Sequence, residues 1–146
     1  MTELTLMRRF PHPPERVFAF VTKPEHLKEW WGPETMFIPS GDLDLSRLGP
    51  WSSVMENKDG GQFKVSGEVV AHDPPRRVVF TWAWHDPEDA RGVETRVTFE
   101  VDADDDGGAV LTLTHSGFAD AEAMGNHEGG WTSSLRKLEK MGGANG

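Results

Sequence analysis

The chain has 146 residues and no cysteine, so disulfides, thiolate metal sites and cysteine nucleophiles are excluded. Its composition, 36% hydrophobic and 27% charged, suits one globular domain with a buried core. The formal net charge of −9 argues against nucleic acid or an anionic membrane surface as the main partner. No stretch approaches the ~20 apolar residues of a membrane span, and the first residues do not resemble a secretory signal. The expected location is therefore the cytoplasm.

The first third of the chain predicts one strand and two short helices. Residues 2–10 partly alternate between apolar and polar side chains, which indicates a strand. A Pro-Pro pair can open a helix over residues 13–21, because the first turn of a helix needs no N–H donor. Pro24 breaks that helix, and residues 25–31 form a second helix that Gly32-Pro33 stops.

Strand patterns dominate the middle of the chain. The predicted strands cover residues 35–43, 51–57, 62–72, 77–85, 94–102 and 109–116. Pro39 should interrupt the first of these, since proline cannot donate to a strand ladder. Gly49-Pro50 is expected to be a turn, and Asp59-Gly60 predicts a tight hairpin.

The last segment predicts a long amphipathic helix that begins after Asp120, which can cap its first turn. Its apolar positions are Met124, Trp131, Leu135, Leu138 and Met141. Three glycines weaken the first half by up to ~1 kcal/mol each, so we expect a bend or a frayed start. The whole forms a single domain over residues 1–141, with a flexible tail over residues 142–146.

These elements predict an α+β fold in which the terminal helix covers one face of an antiparallel sheet. Alternation predicts which side chains face the helix. They are Val78, Phe80, Trp82, Trp84, Val97, Phe99, Val101, Leu111, Leu113 and His115. A strongly curved sheet held away from its helix by the short helices would leave a cavity between them.

Five stretches resemble a known family: PPERVFAFVTKPEHLKEWWGP, SGEVVAHDPPRRVVFTW, TRVTFEV, LTLTHSGF and HEGGWTSSLRKLEK. Together they cover almost the whole chain in the order found in the START-like (SRPBCC) superfamily, whose helix-grip fold is that of the birch-pollen allergen. The sequence is most similar to the branch named after the activator of heat-shock protein 90 ATPase homologue. The resemblance implies a curved antiparallel sheet of about six to seven strands wrapped around the long C-terminal helix, two short helices after the first strand, and an internal pocket for small, largely apolar molecules.

The resemblance implies three classes of function, because relatives include lipid carriers, polyketide aromatase/cyclases and chaperone co-factors. Binding of a small hydrophobic or aromatic ligand is the leading hypothesis, with no cofactor. The second is an enzyme resembling polyketide cyclase/dehydratases or hydrolases. The third is a heat-shock protein 90 co-factor or stress-response protein. It ranks last because the eukaryotic activators carry a further N-terminal domain and this sequence begins directly at the predicted domain.

Aromatic residues supply most of the candidate ligand site. The candidate ligand-binding residues are Trp31, Phe80, Trp82, Trp84, Phe99, Leu113, His115, Met124, His127 and Trp131. A row of aromatics on one strand face is either packed core or a wall for a flat ligand. Met36 and Met55 could add an adaptable lining.

None of the six histidines shows the spacing of a helical metal site, and no metal is expected. His115 could be a general base, but a core histidine bonded to backbone is the favoured interpretation. For His127, which lies one helical turn before Trp131, a pocket-lining role and a structural core role are equally weighted, whereas Trp131 is expected to be mainly a core anchor. Glu68 should face solvent unless a bulge near Gly67 turns it inward. An enzyme would need His115 to converge with Glu68 or His127.

Trp30 and Trp31 are adjacent, and consecutive helical residues point about 100° apart. Trp30 lies three residues after Leu27, so we expect it to anchor the helix to the core. Trp31 is then expected at the cavity entrance as a gate, and Trp31→Ala should spare folding. A homodimer could use an exposed strand edge or a tryptophan-rich patch.

Overall fold

The structure, a computed structural model, describes residues 3–31, 36–40, 43–105, 107–118 and 120–142, without the side chains of 36–40 and 141–142. The elements in chain order are β1 (Glu3–Phe10), α1 (Pro14–Phe20), α2 (Pro24–Trp30), β2 (Met36–Ser40), β3 (Gly49–Asn57), β4 (Gln62–Asp73), β5 (Arg77–Trp84), β6 (Thr95–Ala103), β7 (Ala109–Ser116) and α3 (Ala121–Gly142). Both the element order and the strand number agree with the prediction.

The seven strands form one antiparallel sheet in the order β1-β7-β6-β5-β4-β3-β2. Strands β2 to β7 pair with their neighbours in sequence, as successive hairpins do. β1 instead crosses to the far end and pairs with β7, with Leu4 opposite His115 and Phe10 opposite Ala109. The predicted α+β helix-grip fold is confirmed.

Strict alternation along β6 and β7 places their apolar side chains on the buried face of the sheet. Val97, Phe99 and Val101 are buried on β6, as are Leu111 and Leu113 on β7. Trp131, Leu135 and Leu138 of α3 belong to the same core cluster. The predicted facing residues are therefore confirmed, because the period of two in a strand decides which side chains share a face.

The two short helices begin at prolines rather than ending at one. α1 follows Pro13, and α2 has Pro24 in its first turn, so Pro24 opens the second helix instead of breaking the first. α1 ends earlier, at Phe20, and the carbonyl of Thr22 accepts a backbone hydrogen bond from Leu45. The predicted stop at Gly32-Pro33 lies outside the described residues.

The long helix α3 is continuous from Ala121 to Gly142, so a frayed start is wrong, whereas a bend stays a prediction. Its first turn is capped as expected, since Asp120 Oδ1 accepts the Ala123 N–H at 2.8 Å. The backbone ladder and the buried anchors further along hold the glycine-rich half in helical form. Residues 143–146 lie outside the described part, and the division into domain and tail stays a prediction.

Two turn predictions have opposite outcomes. Gly60 has a φ of 87°, as the predicted Asp59-Gly60 hairpin requires. Gly49 and Pro50 are not a turn but the first residues of β3, where Pro50 lies opposite Glu68. The pairing of β2 with β3 shifts register between Phe37 and Ser40, which agrees with the interruption expected near Pro39.

Trp30 and Trp31 are both inside the core, with exposed fractions of 0% and 1%. The predicted position of Trp31 at the entrance is wrong. Trp31 follows the last residue of α2, and its ψ of 135° is extended, so the helical angle between neighbours does not apply. Its ring instead lies within 6.2 Å, between ring centroids, of Trp51, Phe80 and Trp82.

The surface offers little aromatic area. Five of the tryptophans are buried and Trp84 is half-buried. The described surface therefore has no tryptophan-rich patch, which was one of the two features expected to support a homodimer. Among the described aromatic side chains, Phe63 is the exposed one, with an exposed fraction of 43%. The sheet ends in two edge strands, β1 and β2. Within the described ranges, no helix has the length and apolar character to cross a membrane.

A tryptophan-lined cavity as the candidate functional site

A cavity of about 560 Å³ lies between the sheet and the first half of α3. It is lined by Trp31, Met55, Phe63, Trp82, Trp84, Ala123, Asn126, His127, Gly130, Trp131 and Ser134. Strands β3, β4 and β5 supply one wall and α3 supplies the other, and Trp31, which follows α2, also lines the space. The size falls within the range typical of small-molecule sites.

Four tryptophans contact one another around this cavity. The ring centroids of Trp82 and Trp131 are 5.2 Å apart, and those of Trp82 and Trp31 are 5.5 Å apart. Trp84 meets Trp82 edge-on at 5.4 Å. Aromatic pairs at these distances stabilise one another, so the wall is preorganised.

The structure places five of the ten candidate site residues at the cavity. They are Trp31, Trp82, Trp84, His127 and Trp131. Phe80, Phe99 and Leu113 are buried core residues that do not line it. His115 is fully buried beside Trp131, and Met124 packs on the edge of the core. Phe80, Phe99, Leu113, His115 and Met124 therefore belong to the packed core or its edge and do not line the space.

Several lining residues were missed. Asn126, Gly130 and Ser134 are spaced four apart and so form one stripe of α3, a pattern visible in the sequence. Met55 lies opposite Phe63 across the β3–β4 hairpin, and Met55 does line the cavity as expected of an adaptable residue. The side chain of Met36 lies outside the described residues.

His115 is a core histidine, with an exposed fraction of 0%. Its Nδ1 accepts the indole N–H of Trp131 at 3.0 Å, and its Nε2 lies 2.7 Å from Thr95 Oγ1. Thr95 Oγ1 in turn donates to the Trp82 carbonyl at 3.1 Å. Burial, and secondarily the nearby His127, lower the pKa of His115 to about 3. The favoured core interpretation is confirmed, although the partners are side chains and not backbone.

His127 also accepts an indole N–H with one ring nitrogen and contacts an oxygen with the other, but here Nε2 is the acceptor instead of Nδ1. Its Nε2 accepts the indole N–H of Trp84 at 2.9 Å, and its Nδ1 lies 2.7 Å from the Ala123 carbonyl. An indole N–H can only donate, so the accepting nitrogen of each histidine carries no proton. The rings of His115 and His127 are 4.9 Å apart, yet each has both nitrogens engaged.

Glu68 does not converge with these histidines. Its side chain is exposed, and its backbone N–H donates to Thr81 Oγ1 at 2.9 Å. The irregularity in the β4–β5 pairing lies between Val69 and Ala71, not at Gly67. In the described part of the chain, no three His, Asp or Glu side chains are grouped as metal ligands.

A second cavity of about 190 Å³ adjoins the first. Both cavities are lined by Trp82, Trp84, Ala123 and His127. The hydrogen-bonded Trp84–His127 pair therefore stands between the two spaces, and Val93, Thr95 and Phe118 complete the smaller one.

The family described as Activator of Hsp90 ATPase homolog 1-like protein matches residues 11–143. The chain belongs to this family. The match includes α1, α2, all strands from β2 to β7, and α3, so every lining residue of the cavity lies within it. The resemblance inferred from the sequence is confirmed.

Two solved structures share the fold over almost the whole chain. The AHSA1 protein from Silicibacter pomeroyi is 48% identical, with a TM-score of 0.92 and 96% of each chain covered. A protein from Chromobacterium violaceum is 22% identical, with a TM-score of 0.82, covering 97% of this chain and 98% of the other. At that identity the likeness shows the fold alone. No curated protein matches the chain.

Proposed function

We propose that this activator-homologue-like chain binds a small, uncharged, hydrophobic or aromatic molecule in the cavity between the sheet and α3. One observation carries the proposal. A space of about 560 Å³ is walled by Trp31, Trp82, Trp84 and Trp131, where a packed core would have been filled by side chains. Aromatic walls with few polar groups are typical of sites for flat apolar ligands.

The charge of the lining supports an uncharged ligand. Among the described residues that line the cavity, none is Lys, Arg, Asp or Glu, and both nitrogens of His127 are already engaged. Burying an unpaired ion there would cost several kcal/mol. Asn126 and Ser134, on one stripe of α3, are the polar groups that would orient the molecule.

The hydrogen bonds favour binding over catalysis as the proposed activity. A general base needs a free lone pair near the substrate, and neither His115 nor His127 offers one. Glu68 faces solvent. A cyclase-like or hydrolase-like enzyme therefore remains the weaker alternative, and a chaperone or stress role ranks third. A homodimer and a cytoplasmic location stay predictions.

A titration with the neutral fluorophore N-phenyl-1-naphthylamine tests the proposal. We expect saturable enhancement of probe fluorescence together with quenching of tryptophan emission. Ala123→Phe, which places a ring in the space, should abolish the signal, whereas Ala90→Phe on the exposed loop before β6 should preserve it. Absence of saturable binding to the unaltered protein, or identical titrations for the two variants, would refute the proposed function.

A further inference from the structure

Four polar side chains form a continuous chain of hydrogen bonds across β4 and the loop that follows β5. Oγ of Ser66, on β4, lies 2.6 Å from Nε2 of His85, the first residue after β5. Nδ1 of His85 lies 2.8 Å from Oδ1 of Asp89. Arg91 donates from Nε to Ser66 Oγ at 3.2 Å and from Nη2 to the Ser66 carbonyl at 3.0 Å. These four residues line neither of the two cavities.

The direction of each hydrogen bond in this cluster follows from what each group can donate. A carboxylate and a backbone carbonyl only accept, and His85 Nδ1 contacts both of these groups of Asp89. In the neutral imidazole the proton therefore lies on Nδ1, and Nε2 is bare. A guanidinium only donates, so Arg91 occupies a lone pair of Ser66 Oγ and leaves the hydroxyl hydrogen for His85 Nε2. Ser66, His85 and Asp89 are thus arranged as nucleophile, base and orienting carboxylate.

The cluster lies on the face of the sheet that points away from the large cavity. Val65 is buried opposite Trp84, which lines the cavity, and the neighbouring Ser66 and His85 point to the other face because strand side chains alternate. Ser66 and His85 are half-buried, and the Asp89 side chain has an exposed fraction of 66%, so the cluster is at the surface. Sequence analysis missed it because separations of 19 and 4 residues match no motif.

We propose that this cluster is an esterase site in which Ser66 attacks small carboxylic esters. The activity goes beyond the proposed ligand binding and does not use the cavity. Ser66 Oγ forms a bond to the ester carbonyl carbon while its proton moves to His85 Nε2. The tetrahedral intermediate then expels the alcohol, which takes that proton from His85. Water attacks the acyl-Ser66 through the same base, releases the carboxylic acid and restores the serine.

The charge on Asp89 suits the role of an orienting carboxylate. Hydrogen bonds from Lys64 and then from His85 lower the pKa of Asp89 below its ordinary value, so the carboxylate is ionised at neutral pH. An ionised Asp89 holds the imidazole proton at Nδ1 and stabilises the imidazolium that forms when Ser66 loses its proton. Asp89 is therefore a positioning residue, which acts on the ester through His85.

Arg91 brings positive charge to the place where negative charge develops. Its Nε already contacts Ser66 Oγ, and the oxyanion of the tetrahedral intermediate forms one bond further along, on the former carbonyl oxygen. Glu94 pairs with a different nitrogen, Nη1, at 3.2 Å. A fixed donor beside the developing oxyanion lowers the barrier to attack.

Diisopropyl fluorophosphate tests the nucleophile directly. Ser66 Oγ would form a bond to phosphorus, fluoride would leave, and His85 would take the hydroxyl proton. We expect an adduct on Ser66, located by mass spectrometry of the peptides, and labelling about 100-fold slower in His85→Gln. Ser116→Ala is the control, because it alters another half-buried serine on the same face of the sheet and should leave the labelling rate of Ser66 unchanged.

Hydrolysis of p-nitrophenyl acetate tests the complete reaction. Ser66→Ala should reduce it to the rate of the other surface nucleophiles. Asp89→Asn can present an amide N–H to Nδ1 and so move the imidazole proton to Nε2, which should lower kcat about tenfold with KM unchanged. A merely structural role for Asp89 would not give that separation of kcat from KM. Ala123→Phe, which fills the cavity, should hydrolyse the ester at the unaltered rate, so the two proposed activities are tested separately.

Three outcomes would overturn the esterase site while leaving the proposed ligand binding intact. They are the absence of a phosphoryl adduct on Ser66, equal labelling rates for the unaltered protein and His85→Gln, and equal hydrolysis of p-nitrophenyl acetate by the unaltered protein and Ser66→Ala.

Discussion

The indole N–H of Trp131 on α3 donates to Nδ1 of His115 on β7 at 3.0 Å, and both side chains are buried. Because the indole cannot accept, Nδ1 is bare and the imidazole proton lies on Nε2, facing Thr95 Oγ1. This pair joins the helix to the sheet. The Trp131–His115 hydrogen bond also requires the neutral form of His115, because a protonated Nδ1 could not accept it.

Stability should decrease in acid because of His115. Its pKa is about 3 in the folded protein against an ordinary value of 6.5, so the unfolded chain binds the proton more readily. The contribution of the neutral histidine is complete above pH ~6.5 and is lost as the pH falls towards 3. The slope is at most ~1.4 kcal/mol per pH unit. Urea unfolding at a series of pH values between 7 and 4 measures it.

His115→Gln is the control for this pH dependence, since an amide does not titrate in that range. The variant will be less stable at pH 7, but its free energy of unfolding should fall less steeply in acid than that of the unaltered protein. Parallel curves for the two proteins would show that His115 titrates normally in the fold.

Trp31→Ala should destabilise the protein by about 3–5 kcal/mol, the usual cost of deleting a buried aromatic side chain. Trp31 is as buried as Trp30, and its ring contacts Trp51, Trp82 and Trp131. Trp30→Ala, measured by the same urea denaturation, should have a comparable effect. A Trp31→Ala protein with an unchanged midpoint would restore the division of roles expected from the sequence, with Trp31 as a dispensable gate.

Gly67→Ala should destabilise the sheet by about 1–3 kcal/mol, as forced overpacking does. A Cβ at Gly67 would lie 1.9 Å from the Thr81 carbonyl oxygen, which also accepts the Trp51 indole N–H. The backbone of β5 would have to move and would weaken that bond. Thermal unfolding measures the loss, and a melting temperature equal to that of the unaltered protein would contradict the close approach.

Gly125→Ala and Gly129→Ala should stabilise α3 and slow ligand exchange. A Cβ at either position meets nothing within 4 Å, and alanine favours a helix over glycine by ~1 kcal/mol. If the first half of α3 must open to admit a ligand, the double variant should exchange N-phenyl-1-naphthylamine about tenfold more slowly in stopped-flow experiments.

Thr132→Ala is the comparison for the glycine variants, because it raises helix propensity beyond the glycine-rich half of α3. It should raise the melting temperature with little change in exchange rate. A double glycine variant that is more stable but exchanges at the original rate would place the ligand's path elsewhere.

The sequence by itself determined the elements and the buried faces, because both depend on local periodicity. Alternation in β6 and β7 identified Val97, Phe99, Leu111 and Leu113, and the Asp120 cap was recognisable from its position before an apolar helix. The family followed from motifs in a fixed order. None of these conclusions required knowledge of which distant residues meet.

The tertiary structure alone decided the chemistry of the cavity. The Trp84–His127 bond joins residues 43 positions apart, and the Trp131–His115 bond joins a helix to a strand. Such pairs depend on where α3 crosses the sheet, which local pattern does not encode. Trp31 shows the same limit, because one extended residue after α2 turned its ring inward where helical geometry had predicted the opposite. The periodicity of the sequence specifies which face of an element is buried. Packing in three dimensions decides which side chains on that face surround a cavity and which of them form hydrogen bonds with one another.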